Sequence, residues 1–543
     1  MSTELEPRGP ARWPEPLARR WFVAYLVLTI PILIHAGSKY WFFGDIWGLL
    51  AGRDWQQLDD LLRPQNGHWS SLPILSYAAL FEAFGLHSYR SHQLPLIVMH
   101  LTVAYAMRDV MRRAGVAPGW ASLVAGSFVL LGPAHQNILS AIQLSMMLSV
   151  AAGFLQLRLA TRGDALGWRD GLGLAAGLAS LMASGVGPVT VVAVGAATLL
   201  SRGIPAAAFH TVPLAIVYLL WTRAWSSSLD AQVQSRVALG SMVEWIAEGL
   251  LQSLLSFAGS PLVAVALAGV LLYGLVRIAP SLFERESRRR LAPVIGLAFA
   301  PLVLFAAIST QRWAQGSETI AFQSRYIGLT AAFSLPVLAV AIDAVGRRHP
   351  RAWPLLVVLL VAGMPSHLPQ LWQGGRPASF FEEQRALVLA AAYSPVASQV
   401  RAGVHPDPFQ FGADELTVGW LLAARNAGKL PEPALGGDTA ARAALDARVA
   451  MRLSLSQDIA PLPDDLVCDT FSTTHDFPTQ VGSQFGLREP VVIELRRGGR
   501  ALYPPLVYNP AWSGLLLRIE VSDVTVRVLR GKRADGYSFC HAP

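Results

Sequence analysis

Long apolar runs separated by short, arginine-bearing loops fill the first two thirds of this 543-residue chain. A membrane span needs about 20 mainly apolar residues. The runs predict helices near 20–37, 90–107, 118–132, 138–157, 170–185, 187–200, 205–222, 258–277, 291–309, 327–345 and 353–367. With 53% of its residues hydrophobic and only 15% charged, the chain reads as an α-helical polytopic membrane protein of about 11 transmembrane helices. Residues 1–18 are polar and proline-rich, a cytoplasmic leader. Residues 19–367 form the transmembrane domain. Arg19-Arg20 before an apolar run ending near His35-Ala36-Gly37 is also the pattern of a signal peptide, but the downstream topology favours a retained helix.

Basic residues near span ends mark the cytoplasmic side. Arg19/Arg20, Arg108/Arg112/Arg113, Arg158/Arg162/Arg169, Arg202, Arg288–Arg290 and Arg347/Arg348/Arg351 all fall on one side of the expected topology. The N-terminus is therefore expected inside, as in the inner membrane of a bacterium. The loop 38–89, the loops 223–257 and 310–326, and everything after 367 are expected outside. The formal charge of +8 reflects these loops. It comes with no basic, aromatic-interleaved segment, so a nucleic-acid partner is excluded. Within the first outer loop, Leu72–Phe84 suits a helix lying on the membrane surface, and Val237–Phe257 has the same character.

Composition changes near residue 368 to that of a soluble domain, 368–543, expected as an extracytoplasmic α+β module. Helical patterns occupy 380–402, 413–427 and 438–455. Val491–Leu495 and Ala501–Tyr503 flank Gly498-Gly499, and Leu515–Glu520 and Val524–Leu529 flank Ser522-Asp523, which reads as two hairpins. The chain has two cysteines, Cys468 and Cys540, and both lie in this tail, as a disulfide in an oxidising compartment requires. Tyr503, Tyr508 and Trp512 are either core aromatics or sugar-stacking platforms.

Candidate chemistry clusters at the expected outer face. Asp45 follows the first span in Phe42-Phe43-Gly44-Asp45-Ile46-Trp47. A charge at the bilayer centre costs about 2.5 to 3.5 kcal/mol, which places it in the interface. There, partial desolvation would suit a general base; the bland reading is a helix cap. Asp54, Asp59 and Asp60 read as a solvated helix face. Asn66, His68 and Trp69 suit polyol recognition through amide and imidazole hydrogen bonds and ring stacking. In the loop 310–326, Arg312 and the pair Arg325-Tyr326 suit a lipid phosphate, because a guanidinium can grip phosphate oxygens bidentately while the adjoining span holds an apolar tail. Alternatively, they anchor the helix at the interface. No phosphate loop, GxSxG, HExxH or metal-ligand spacing occurs.

This order of features resembles the GT-C superfamily of polytopic glycosyltransferases. Gly44-Asp45-Ile46-Trp47 is similar to the family's acidic position after the first transmembrane helix. Leu72–Phe84 resembles its surface helix, Leu94–Met107 the span that follows, and Ser324-Arg325-Tyr326-Ile327-Gly328-Leu329 its Arg-Tyr start of a late span. The resemblance covers roughly residues 20–367. It implies a polyprenyl-phosphate-sugar donor, a glycan, lipid or protein acceptor, membrane lipids as surroundings, and inverting transfer with Asp45 as base. Many relatives carry two adjacent acidic residues, whereas Asp45 is followed by Ile46, so a divalent metal has no support in this sequence and the cofactor stays unassigned. A noncatalytic envelope or polymer-assembly protein, or a transporter or flippase for lipid-linked substrates, is the alternative.

Overall fold

The computed structural model describes residues 13–225, 239–312, 323–406, 416–433, 439–458, 466–508, 515–529 and 537–541. The first half contains α1 (Glu15–Ala36), α2 (Ile46–Leu50), α3 (Leu58–Leu62), α4 (Ser71–Phe84), α5 (Arg90–Arg113), α6 (Pro118–Val129), α7 (His135–Leu139), α8 (Leu144–Ala160), α9 (Trp168–Leu181), α10 (Gly187–Arg202) and α11 (Ile204–Ala224). There follow α12 (Leu239–Ala258), α13 (Pro261–Ile278), α14 (Arg285–Arg312), α15 (Ser324–Arg348), α16 (Trp353–Val361), α17 (Met364–Gln373), α18 (Ala378–Tyr393), α19 (Val418–Asn426) and α20 (Thr439–Ser454).

Among the described residues, eight helical stretches are long and apolar enough to cross a membrane, and the chain is a multi-pass membrane protein. All eleven expected runs are helical. Three of them form shorter helices: α6, α9 and α10 have 12, 14 and 16 residues. The chain divides into two compact units. One comprises residues 1–40, 54–76 and 90–376, and the other residues 41–53, 77–89 and 377–543. The second unit thus takes two segments from the expected loop 38–89.

In the first unit α15 is the hub, almost wholly buried and packed on α5, α6, α13 and α14. Small residues permit the closest helix approaches, since packing drives association where no water is displaced. Gly173 faces the His210 ring, whose Cε1 would lie 2.9 Å from an added Cβ, and Gly177 faces Leu214, so α9 seats against α11. α12 is amphipathic, with Trp245 and Phe257 buried and Glu244 and Glu248 exposed.

One buried charge network ties α9, α10 and α11. The Arg202 guanidinium donates to Asp170 Oδ1 at 2.5 Å, and His210 Nε2 lies 2.9 Å from the same oxygen. Asp170 Oδ2 accepts from the Gly167 N–H at 2.8 Å. The Arg202 and Asp170 side chains are only 2% and 4% exposed, so neither charge has water as an alternative partner.

Among its described residues the second unit carries ten strands. These are β1 (Leu455–Asp458), β2 (Val467–Phe471), β3 (His475–Pro478), β4 (Gln484–Leu487), β5 (Val491–Arg497), β6 (Arg500–Ala501), β7 (Leu506–Tyr508), β8 (Leu515–Ile519), β9 (Thr525–Leu529) and β10 (Tyr537–His541). They form two five-stranded antiparallel sheets, β1-β8-β4-β10-β2 and β3-β9-β5-β6 with β7 also on β5. Phe477 of one sheet stacks on Phe539 of the other, with ring centroids 3.7 Å apart.

The expected β5–β6 hairpin forms around Gly498-Gly499, whose φ angles of 56° and 80° suit glycine. The second expected hairpin does not. β8 pairs with β1 and β4, and β9 pairs with β3 and β5, so residues 520–524 pass from one sheet to the other. Both strands have their two edges already occupied, and neither has one left for its sequence neighbour. Cys468 and Cys540 stand directly opposite each other on β2 and β10 and form the disulfide.

Asp170→Asn is expected to destabilise the chain by about 3–5 kcal/mol, because it leaves Arg202 buried without its counter-charge. Thermal unfolding in nanodiscs measures this, and an unchanged midpoint would contradict the network's role. A second expectation concerns Glu520, which is buried and gripped by Arg401 at 2.5–3.0 Å. Burial alone would raise its pKa, but the Arg401 and Ser456 hydrogen bonds prevail and hold it below 4.5. A carboxyl depressed on folding stabilises above its unfolded pKa and loses that contribution as pH falls through the folded one. The stability gap between the wild type and Glu520→Gln should therefore be constant above about pH 5 and shrink below about pH 4.5; a gap that does not change with pH would refute it.

Candidate functional site

Asp45 belongs to the second unit. Gly44, at φ 60°, turns the chain so that Asp45 takes the N-cap position of α2. Its carboxylate makes no capping hydrogen bond and has no partner among the described residues. The apolar neighbours pack inward instead of wrapping it. Phe42 and Trp47 are fully buried, Phe42 lies edge-on to Tyr89 at 5.4 Å, and Trp47 meets Trp420 at 6.2 Å. Asp45 is exposed on top of this aromatic platform. The flanking rings are thus buried without desolvating the Asp45 carboxylate.

The Asn66 region lies in the first unit. Asn66 and Gly67, with φ of 49° and 76°, form a tight turn closed by reciprocal backbone bonds of 2.9 Å between Gln65 and His68. Asn66 is exposed. His68 packs against Gly185, where an added Cβ would fall 2.5 Å from Nδ1. Trp69 corrects the expectation of a sugar-stacking ring. It is 6% exposed and stacks on Trp221 at 5.3 Å with nearly parallel planes, and its indole N–H donates to Ser71 Oγ at 2.7 Å. Leu181, Val191 and Leu214 complete this core. Trp69 looks polar-facing in a loop sequence, but its partner Trp221 lies far along the chain.

Arg312 ends α14, and Trp313 and Glu318 lie outside the described residues. Arg325 is in the first turn of α15, half-buried, its guanidinium 5.2 Å over the ring of Tyr326. Its Nε is buried with no hydrogen-bond partner among the described residues. Tyr326 is itself 6% exposed.

Around the start of α15 the structure gathers residues that the sequence reading missed. Ser324 Oγ accepts from the Gln136 N–H at 3.1 Å and lies 3.2 Å from His135 Nδ1. With its amide NH₂ turned toward α15, Asn137 donates to the Arg325 carbonyl at 2.9 Å. Lys39 Nζ donates to the carbonyls of Trp372 and Gly374 at 2.9 and 3.0 Å. Gly375, at φ 79°, comes so close that an added Cβ would be 2.9 Å from the Tyr40 hydroxyl and 3.5 Å from His135 Nε2.

Burial pushes His135 down from 6.5, a backbone bond with Gly132 opposes this, and the nearby Lys39 charge adds to the fall. His135 is thus neutral at pH 7. If Ser324 donates its proton to Nδ1, the imidazole presents an N–H at Nε2. Burial also lowers Lys39 and pushes Tyr40 up to about 12, so Tyr40 remains a hydroxyl donor. The only sequence signals were Lys39-Tyr40 at the end of the first span and the polar break His135-Gln136-Asn137 between two apolar runs.

The fold and composition define a multi-pass α-helical membrane protein that carries a disulfide-bonded β-sheet module. No protein-family model and no curated protein matches the chain. Among solved structures, it is similar to ArnT from Cupriavidus metallidurans in the apo state, with a TM-score of 0.42 and 14% identity, over 80% of this chain and 78% of that one.

Trp69→Ala is expected to cost about 3–5 kcal/mol of stability, as for a large ring removed from a core. Thermal unfolding checks this, and an unchanged midpoint would return Trp69 to the list of ligand-facing residues.

Proposed function

We propose that this chain is an inverting membrane glycosyltransferase of GT-C type, moving a sugar from a polyprenyl-phosphate donor to a glycan, lipid or protein acceptor at the outer membrane face. The observation that carries the reading is Asp45. An exposed carboxylate at an N-cap position that caps nothing, fixed on a buried aromatic platform, has no evident structural task. In the proposed reaction it takes the proton of an acceptor hydroxyl as that oxygen bonds the anomeric carbon. The bond from that carbon to the phosphate oxygen breaks, and its electron pair leaves on polyprenyl phosphate. Phosphate is a good leaving group, so no separate acid is needed.

Arg325 is assigned to the lipid phosphate. Its Nε, unpartnered among the described residues, the positive end of a 25-residue helix dipole and the nearby Lys39 charge favour an anion there. Asn66 and His68 remain assigned to sugar or acceptor hydroxyls. The Cys468–Cys540 disulfide and the distribution of loop arginines support an inside N-terminus and an extracytoplasmic second unit.

In nanodiscs, Asp45→Asn should fold, bind donor and lose transfer by about 10² to 10⁴-fold, the usual contribution of a general base. Arg325→Lys should weaken donor binding and Arg325→Ala should weaken it further. Wild-type transfer by Asp45→Asn would refute the base, and unchanged donor binding in both Arg325 variants would refute the phosphate site.

A further inference from the structure

A cleft of about 720 Å³ lies within the second unit, between α18 and α20. That is within the range of small-molecule sites, about 300–1,000 Å³. Leucine and alanine side chains form its floor. Two tyrosines, Tyr393 and Tyr503, line its wall, and its charged groups are Glu382, Arg385, Arg442 and Asp446. Tyr393 is oriented by Arg425, whose guanidinium lies 5.8 Å over the ring, and the Tyr503 hydroxyl lies 3.5 Å from Ser454 Oγ. Tyr503 and Tyr393 are only half-buried, whereas Tyr508, on the neighbouring strand β7, is 6% exposed and belongs to the core.

From this arrangement we infer that the cleft binds a neutral oligosaccharide. A sugar ring presents a C–H face, which stacks on a tyrosine, and a rim of hydroxyls, which both accept and donate hydrogen bonds. Carboxylates supply acceptors and guanidiniums supply donors, so the cleft answers both halves of that chemistry. Its two acids balance its two bases. A polyanion such as a phosphorylated lipid gains no net attraction there, and Arg442 and Asp446 already pair with each other at 4.0 Å. The site lies wholly in one unit and is separate in residue makeup from Asp45 and Arg325, so it stands whether or not those residues transfer sugar.

The test uses the full chain in lipid nanodiscs, free of sugar-headed detergent, titrated calorimetrically with cellotetraose and chitotetraose, and with tetragalacturonate as the anionic counterpart. Saturable binding of at least one neutral tetrasaccharide is expected, tighter than that of tetragalacturonate. Tyr503→Ala and Tyr393→Ala should each weaken it by about tenfold, the scale of one lost stacking contact with its buried area. Tyr503→Phe, which keeps the ring, should retain most of the affinity. Failure of both neutral sugars to bind, preference for tetragalacturonate, or undiminished binding in both alanine variants would overturn the inference. Circular dichroism and a thermal midpoint for each variant separate lost binding from lost folding.

Discussion

Backbone polar groups inside a bilayer must find partners within the protein, and this constraint governs where irregular chain and charge can lie in the first unit. The helices satisfy themselves. Where the backbone breaks between α6 and α8, residues 130–143 are buried against α15 and α17 rather than exposed to lipid. That break brings His135, Gln136 and Asn137 to the first turn of α15, whose own leading N–H groups lack helical partners. The requirement to satisfy backbone therefore gathers polar groups at a helix start. Buried side-chain charge is matched as well: in the Asp170–Arg202–His210 network Asp170 and Arg202 meet within three adjacent helices.

The second unit solves a different problem. In its β-sheet module, side chains alternate between a shared core and solvent. β5 shows this most simply, with Val491, Ile493 and Leu495 buried and the residues between them partly exposed. The disulfide joins β2, largely exposed, to the buried β10. Glu520, just past β8, anchors Arg401 in the segment that follows α18, so one buried carboxylate ties the sheets to the chain between two helices of the same unit. The residues flanking Asp45, Phe42 and Trp47, pack in this unit on Tyr89 and Trp420, which come from two other stretches of the chain.

Among the described residues the apolar runs located each helix long and apolar enough to cross a membrane, because burial in lipid demands continuous apolarity and leaves a local trace. The β5–β6 hairpin was legible for the same reason: its turn residues and alternation are adjacent in sequence. The β8–β9 pairing was misread because two strands joined by a short link need not be partners once other strands occupy their edges. Trp69 was misjudged because ring stacking on Trp221 is nonlocal. The surroundings of Arg325 were largely invisible, since His135 and Ser324 meet from positions 189 residues apart. Arg325 and Asp45 were visible only as ions next to span ends, and their roles as donor and acceptor groups rest on proposed chemistry.

As proposed above, this membrane protein engages the phosphate of a polyprenyl lipid, whatever sugar that lipid carries. Phosphorus NMR of polyprenyl monophosphate, titrated into nanodiscs with and without the protein, tests it most directly. A saturable change in the phosphate resonance that requires the protein, and that polyprenol lacking the phosphate does not compete away, is the predicted result. A phosphate signal identical in loaded and empty nanodiscs would contradict the account.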